Sequence, residues 1–168
     1  YSTTNIQVAG VDEADIVKTD GEYIYVVSND TVLILKAYPA EKAEILSKIT
    51  FSDMYLSGIF VSGDKLAVLG CKYTQYGIPQ IFPSWLNYGY YYVNIKTIVS
   101  VYDISNKENP TFLTDFTISG SYFSSRMIDD YVYFVVSQPA YVIYDTVILP
   151  KIYMNNGIKE ISASEIHY

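Results

Sequence analysis

An all-β fold is what this sequence predicts, and three observations predict it. Tyrosine is abundant, with 19 Tyr against 7 Phe and 1 Trp among 168 residues. A ring that packs and a hydroxyl that reaches water suit the faces of half-wet strands. Apolar residues come in short alternating or continuous runs closed by Asp, Gly, Asn or Pro, which is the punctuation of strands and turns. One turn-and-strand pattern also recurs along the chain, as "KTDGEYIYVVS", "VSGDKLAVLG" and "MIDDYVYFVVS".

The recurrence has a period. Asp20 in the first segment and Asp64 in the second stand 44 residues apart, and Asp64 and Asp130 stand 66 apart. The excess is 22 residues, the length of "YTQYGIPQIFPSWLNYGYYYVN" at residues 73–94. The next strands agree, since "TVLILKAY" begins at Thr31 and "TIVSVYDIS" at Thr97, again 66 residues on. Each leads into a further turn and strand, "PAEKAEILSKIT" and "NKENPTFLTDFT". A unit therefore reads turn, strand, strand, Pro-containing turn, strand, and then the opening strand of the next. Four strands in about 40–45 residues are the mark of a β-propeller blade. The chain holds about two and a half such four-stranded antiparallel blades, over residues 11–51, 54–119 and 121–168, with the Tyr-rich insertion at 73–94. A closed ring has about four to eight blades, so the reading is part of a larger propeller. The tail "GIKEISASEIHY" ends without a closing strand, which agrees.

Taken in order, each element has a local reason. Asp20-Gly21 suits a hairpin turn, where Gly takes positive φ without steric cost. "PAEKAEIL", residues 39–46, has helix propensity with Pro at a first-turn position. Its place in the repeat argues instead for a turn and a strand. "YVYFVVSQPAYVIYDTVILP", residues 131–150, is long enough to suggest a membrane span, but Ser137, Gln138, Pro139 and Asp145 interrupt it. Its β-branched and aromatic content reads as two strands and a turn.

Bulk composition narrows the function. Half the residues are hydrophobic and 17% charged, so the chain packs a core. Net charge is −7 with Lys and Arg scattered, so no basic stripe exists to neutralise phosphates and nucleic acid is not expected as a partner. Cys71 is the single cysteine, so no internal disulfide is possible. His167 is the single histidine, which rules out a site of several imidazoles within the chain. A Cys71–His167 dyad is conceivable, but Cys71 follows an apolar strand and reads as a small buried hydrophobe. There is no Gly-rich phosphate loop and no G-x-S-x-G elbow. No signal peptide is visible, and the chain opens on Tyr1, as a processed or excised segment would.

The stretch "TNIQVAGVDEADIVKTDGEYIYVVS", residues 4–28, closely resembles the opening of a family of secreted archaeal and bacterial proteins. That family carries a β-propeller domain distantly related to WD40 repeats. "TIVSVYDIS" and "DDYVYFVVS" resemble its second and third blades, and the Tyr-rich insertion lies outside the likeness. The resemblance implies a propeller fold, export from the cytoplasm and a domain considerably longer than 168 residues. It implies no catalytic residues.

Three groups of residues are candidate sites. Asp12, Glu13, Asp15 and Asp20 cluster before the first long strand and offer oxygen ligands for calcium. Their spacing departs from the D-x-D-x-D-G loop, and a solvated strand with its turn is the competing reading. The insertion carries Tyr73, Tyr76, Trp85, Tyr88, Tyr90, Tyr91 and Tyr92. A long aromatic loop in a compact domain offers platforms for a protein partner or a surface glycan. The bland alternative is a local mini-core or a hairpin that extends the blade through "NYGYYYV". "NDT" at Asn29 is an N-glycosylation tripeptide at an expected hairpin tip.

The functional expectation is a non-catalytic extracytoplasmic propeller segment for binding or scaffolding at the cell surface. One alternative is a structural subunit of an array or filament joined through open strand edges. Another is part of an enzyme whose active residues lie outside this chain. No cofactor is expected, calcium apart. The expected partners are a protein or surface glycan, and the remaining blades of the same propeller.

Overall fold

The computed structural model describes residues 10–77, 91–139, 141–143, 145–154 and 157–165. Three antiparallel meanders follow one another along the chain. The first sheet runs β2 (Val17–Thr19), β3 (Tyr23–Ser28), β4 (Thr31–Lys36) and β5 (Glu44–Thr50), after a short strand β1 (Val11–Glu13). The second runs β6 (Tyr55–Ser62), β7 (Lys65–Gly77), β8 (Tyr91–Asp103) and β9 (Thr111–Ser119). The third begins with β10 (Ser121–Ile128) and β11 (Tyr131–Ser137). A separate hairpin pairs β12 (Tyr141–Ile143) with β13 (Thr146–Ile148), and β14 (Lys151–Met154) pairs with β15 (Gly157–Glu160).

The turns picked out by spacing occupy equivalent places in the structure. Asp20, Asp64 and Asp130 each fall in the turn joining the first two strands of a unit, between β2 and β3, β6 and β7, and β10 and β11. Each turn holds a residue in the left-handed region, Gly21 at φ 101°, Gly63 at φ 52° and Asp129 at φ 52°. Residues 39–46 form a turn and a strand. A single 3-10 turn at Ala40–Lys42 uses Pro39 as its N-cap, and β5 follows it. The run at 131–150 breaks into β11 and the β12–β13 hairpin. Among the described residues no helix is long and apolar enough to cross a membrane.

Two segments lie elsewhere than the sequence boundaries put them. Residues 11–13 do not join the first sheet; β1 pairs antiparallel with β10, Val11 opposite Ile128. The chain then touches the second sheet, where Ile59 N–H donates to the Asp15 carbonyl at 2.9 Å and Asp15 N–H to the Ile59 carbonyl at 3.4 Å, before entering β2. Residues 151–160 do not extend the third unit. They lie beyond β9, Ile152 opposite Ile118, and make the second sheet six-stranded. In both cases an otherwise open strand edge gains backbone partners, which local pattern does not reveal.

The core shows why the sheets stack. The second sheet is apolar on both faces, and its strands sort their side chains by the two-residue alternation of a pleat. Ile59, Leu66 and Val68 point one way, into a cluster with Tyr25, Val32, Ile34 and Ile49 of the first sheet. Phe60, Leu69 and Val99 point the other way, against Tyr122, Met127, Val132 and Phe134 of the third. Burying each such side chain contributes about 1.5–3 kcal/mol. Ile59, Leu66, Val68 and Leu69 are fully buried.

At Gly70 the β6–β7 pair leaves no room for a side chain. A Cβ there would lie 2.5 Å from Met54 Cε and 2.7 Å from the Tyr55 carbonyl oxygen. Met54 can move, but the Tyr55 backbone is held in the sheet. Gly70→Ala is therefore expected to destabilise the fold by about 1–3 kcal/mol in urea unfolding. Adding Met54→Ala should not restore the loss; full rescue would show that the backbone contact is not the obstacle.

Candidate interaction site

The acids before the first long strand act one at a time. Asp12 Oδ1 accepts from Lys18 Nζ at 2.6 Å and from Glu13 N–H at 2.9 Å, and Lys18 Nζ also donates to the Glu13 carbonyl at 2.6 Å. Glu13 Oε1 lies 3.0 Å from an Arg126 guanidinium nitrogen, across the β1–β10 pair where the two residues stand opposite. Asp15 Oδ1 accepts from Ile16 N–H at 2.7 Å. Asp20 Oδ1 accepts from the Glu22 and Tyr23 N–H groups at 3.1 and 2.8 Å, while its Oδ2 accepts from Tyr25 Oη–H at 2.8 Å. Among the described residues no three His, Cys, Asp or Glu side chains gather where they could share a metal ion. The cluster in sequence becomes, in space, the fastening of the N-terminal segment.

Cys71 is buried, with Sγ 3.8 Å from Thr97 Oγ1, whose hydroxyl donates to the Gly120 carbonyl at 2.8 Å. His167 lies outside the described residues.

The flanks of the insertion are strand. β7 and β8 pair without interruption from Lys65 opposite Asp103 to Gly77 opposite Tyr91. Their neighbours stop earlier, β6 with Tyr55 opposite Cys71 and β9 with Ser119 opposite Lys96. Beyond Cys71 and Lys96 the hairpin continues as an arm that is two-stranded among the described residues. Tyr91 and Tyr92 lie in β8 on that arm, while Trp85, Tyr88 and Tyr90 lie outside the described residues.

At the root of the arm two exposed tyrosines meet. Tyr55 is 70% exposed and Tyr73 50%, with ring centroids 5.3 Å apart and planes at 77°. The register explains the contact: Tyr55 stands opposite Cys71, so Tyr73 is its diagonal neighbour on the same face. A cleft of about 390 Å³ adjoins Tyr55, lined also by Asn29, Asp30, Asp53, Met54 and Leu56. Asn29 occupies the exposed two-residue turn between β3 and β4, at φ 55°. It comes to the same end of the blades because Phe51 N–H, at the end of β5, donates to the Asp30 carbonyl at 2.8 Å. Sequence reading singled out Tyr73 and Asn29 but missed Tyr55. Its local context, "SDMYLSG", carries no signal; only the register of β6 on β7 brings it to Tyr73.

Successive antiparallel sheets, entered by equivalent turns, agree with the family comparison. A model of the β-propeller domain matches residues 1–168. The chain belongs to the β-propeller domain family. It is also similar to an uncharacterized protein of Methanocaldococcus jannaschii, at 29% identity over 136 residues. That match covers 81% of this chain and 17% of the relative. No solved structure matches the chain. The fold is of a binding or scaffolding type, and these three units are fewer than the four to eight blades of a closed propeller.

Tyr25 gives the acid cluster a measurable signature. Burial, then the hydrogen bond to Asp20, pushes its phenol far above the ordinary value of 10.0. The folded state therefore holds this proton more tightly than the unfolded state. The resulting stability is fully present below pH 10 and is lost as pH rises beyond the unfolded value. Urea unfolding is expected to show stability falling as pH rises above 10, with a shallower fall in Tyr25→Phe. Equal slopes for the two proteins would mean the Tyr25 phenol is not held in this way.

Proposed function

We propose that this β-propeller segment serves binding or scaffolding at the cell surface, outside the cytoplasm and without a catalytic role of its own. Its partner, a protein or a surface glycan, contacts the loop end of the second blade. The observation that carries the reading is the exposed Tyr55–Tyr73 pair at the root of the arm. Two large rings held on a paired sheet, one side apolar and the hydroxyls wet, lose little conformational freedom on binding. The insertion interrupts an otherwise regular repeat, and such additions to a rigid scaffold are where recognition concentrates. Export is supported by the resemblance of residues 4–28 to secreted propeller proteins.

Binding of the purified chain to an envelope fraction from its native source tests this directly. Tyr55→Ser with Tyr73→Ser should weaken binding about tenfold or more, the scale on which interface tyrosines act. The melting temperature should stay close to wild type, because both rings are exposed. Undiminished binding by the double variant would remove this face from the interface.

A specific observation also favours assembly between copies. The third sheet leaves β11 exposed, with Tyr131, Tyr133 and Val135 alternating outward at 70%, 57% and 58% exposure. Such a face is covered either by a further blade of a longer chain or by another copy. The intact mass of the protein from its native source separates these. A mass well above 19.0 kDa is the expected result and supports further blades. A mass near 19.0 kDa would make assembly between copies the leading reading.

A further inference from the structure

We propose that Asn29 is an N-glycosylation acceptor whose glycan stands at the mouth of the cleft beside Tyr55. The inference rests on the export reading above, since the donor, a polyprenyl-diphosphate-linked oligosaccharide, is used outside the cytoplasm. In the transfer, the Asn29 amide nitrogen bonds to the anomeric carbon of the first sugar. The bond from that carbon to the diphosphate oxygen breaks, and the proton lost by the amide ends on the released diphosphate.

The chain holds two Asn-x-Thr tripeptides, Asn29-Asp30-Thr31 and Asn109-Pro110-Thr111, and none with Ser. Both fall in turns, between β3 and β4 and between β8 and β9. A proline in the middle position bars the second, so only the first is chemically competent. The structure then supplies what the tripeptide lacks. Ser28, Asn29 and Asp30 are exposed, and Ser28 opposite Thr31 closes a two-residue turn off the end of the first sheet. The Asn29 side chain makes no hydrogen bond to any described residue, so its amide is available without breaking the fold. The Thr31 hydroxyl makes only long contacts, 3.2 Å to Asp30 Oδ1 and 3.2 Å to Thr50 Oγ1, both exposed. Asn29 also lines the cleft with Asp53 and Tyr55. A glycan there would restrict approach to the tyrosine pair from the side of the first blade.

The test is peptide mapping by mass spectrometry of the chain secreted from a glycosylating host, with an export leader and a C-terminal Asn-x-Thr reporter as internal control. Wild type and Thr31→Ser should carry glycan on the peptide containing residue 29. Asn29→Gln and Thr31→Val should lose it at least tenfold, and Asn109 should remain bare throughout. A modified reporter beside an unmodified Asn29 would overturn the assignment. Modification in the secreting host together with bare Asn29 in the native protein would uphold the site and overturn the export reading instead.

Discussion

The centre of the second sheet, where β6, β7 and β8 pair, is buried on both faces, and the rest of the structure follows from that constraint. A strand whose alternate residues are all apolar cannot leave either face in water. Leu66 and Val68 need the first sheet, and Leu69 needs the third. A single blade of this kind has no stable existence alone, and stacking converts each exposed face into an interface. The third sheet inherits the same requirement, with its inward face packed and its outward Tyr131, Tyr133 and Val135 still exposed.

The N-terminal segment ties these layers together. Within residues 11–19 it pairs with β10 of the third sheet, bridges to β6 of the second and becomes the first strand of the first. The geometry depends on closeness at Gly58, where a Cβ would lie 3.1 Å from Ala14 Cβ and 3.2 Å from Asp15 N. The four acids serve this path. The partly exposed Glu13–Arg126 pair is worth little energetically and acts chiefly to choose the register. Asp20 has more at stake, because its carboxylate satisfies two turn amides and the hydroxyl of the fully buried Tyr25.

Tyrosine plays opposite parts in the first and second sheets. Tyr25 is fully buried and surrenders its hydroxyl to Asp20, so it belongs to the core. Tyr55 and Tyr73 keep their rings in solvent at the base of an arm that, among the described residues, no third strand pairs with. The same residue type thus stabilises in one place and offers contact area in the other. The pairing of each ring decides its part, not its identity.

The amino-acid sequence by itself determined the class of fold, the period and the position of the insertion. Strand alternation and turn residues are local, and Asp20, Asp64 and Asp130 mark equivalent turns because each must reverse the chain at the same point of a blade. Only the tertiary structure decided which edges meet. That residues 11–13 complete the third sheet, that residues 151–160 extend the second, and that Tyr55 stands diagonal to Tyr73 are all matters of register between distant strands. An open edge offers the same backbone donors and acceptors whatever its side chains. The choice among edges is therefore made by three-dimensional proximity and packing, which no short stretch of sequence encodes.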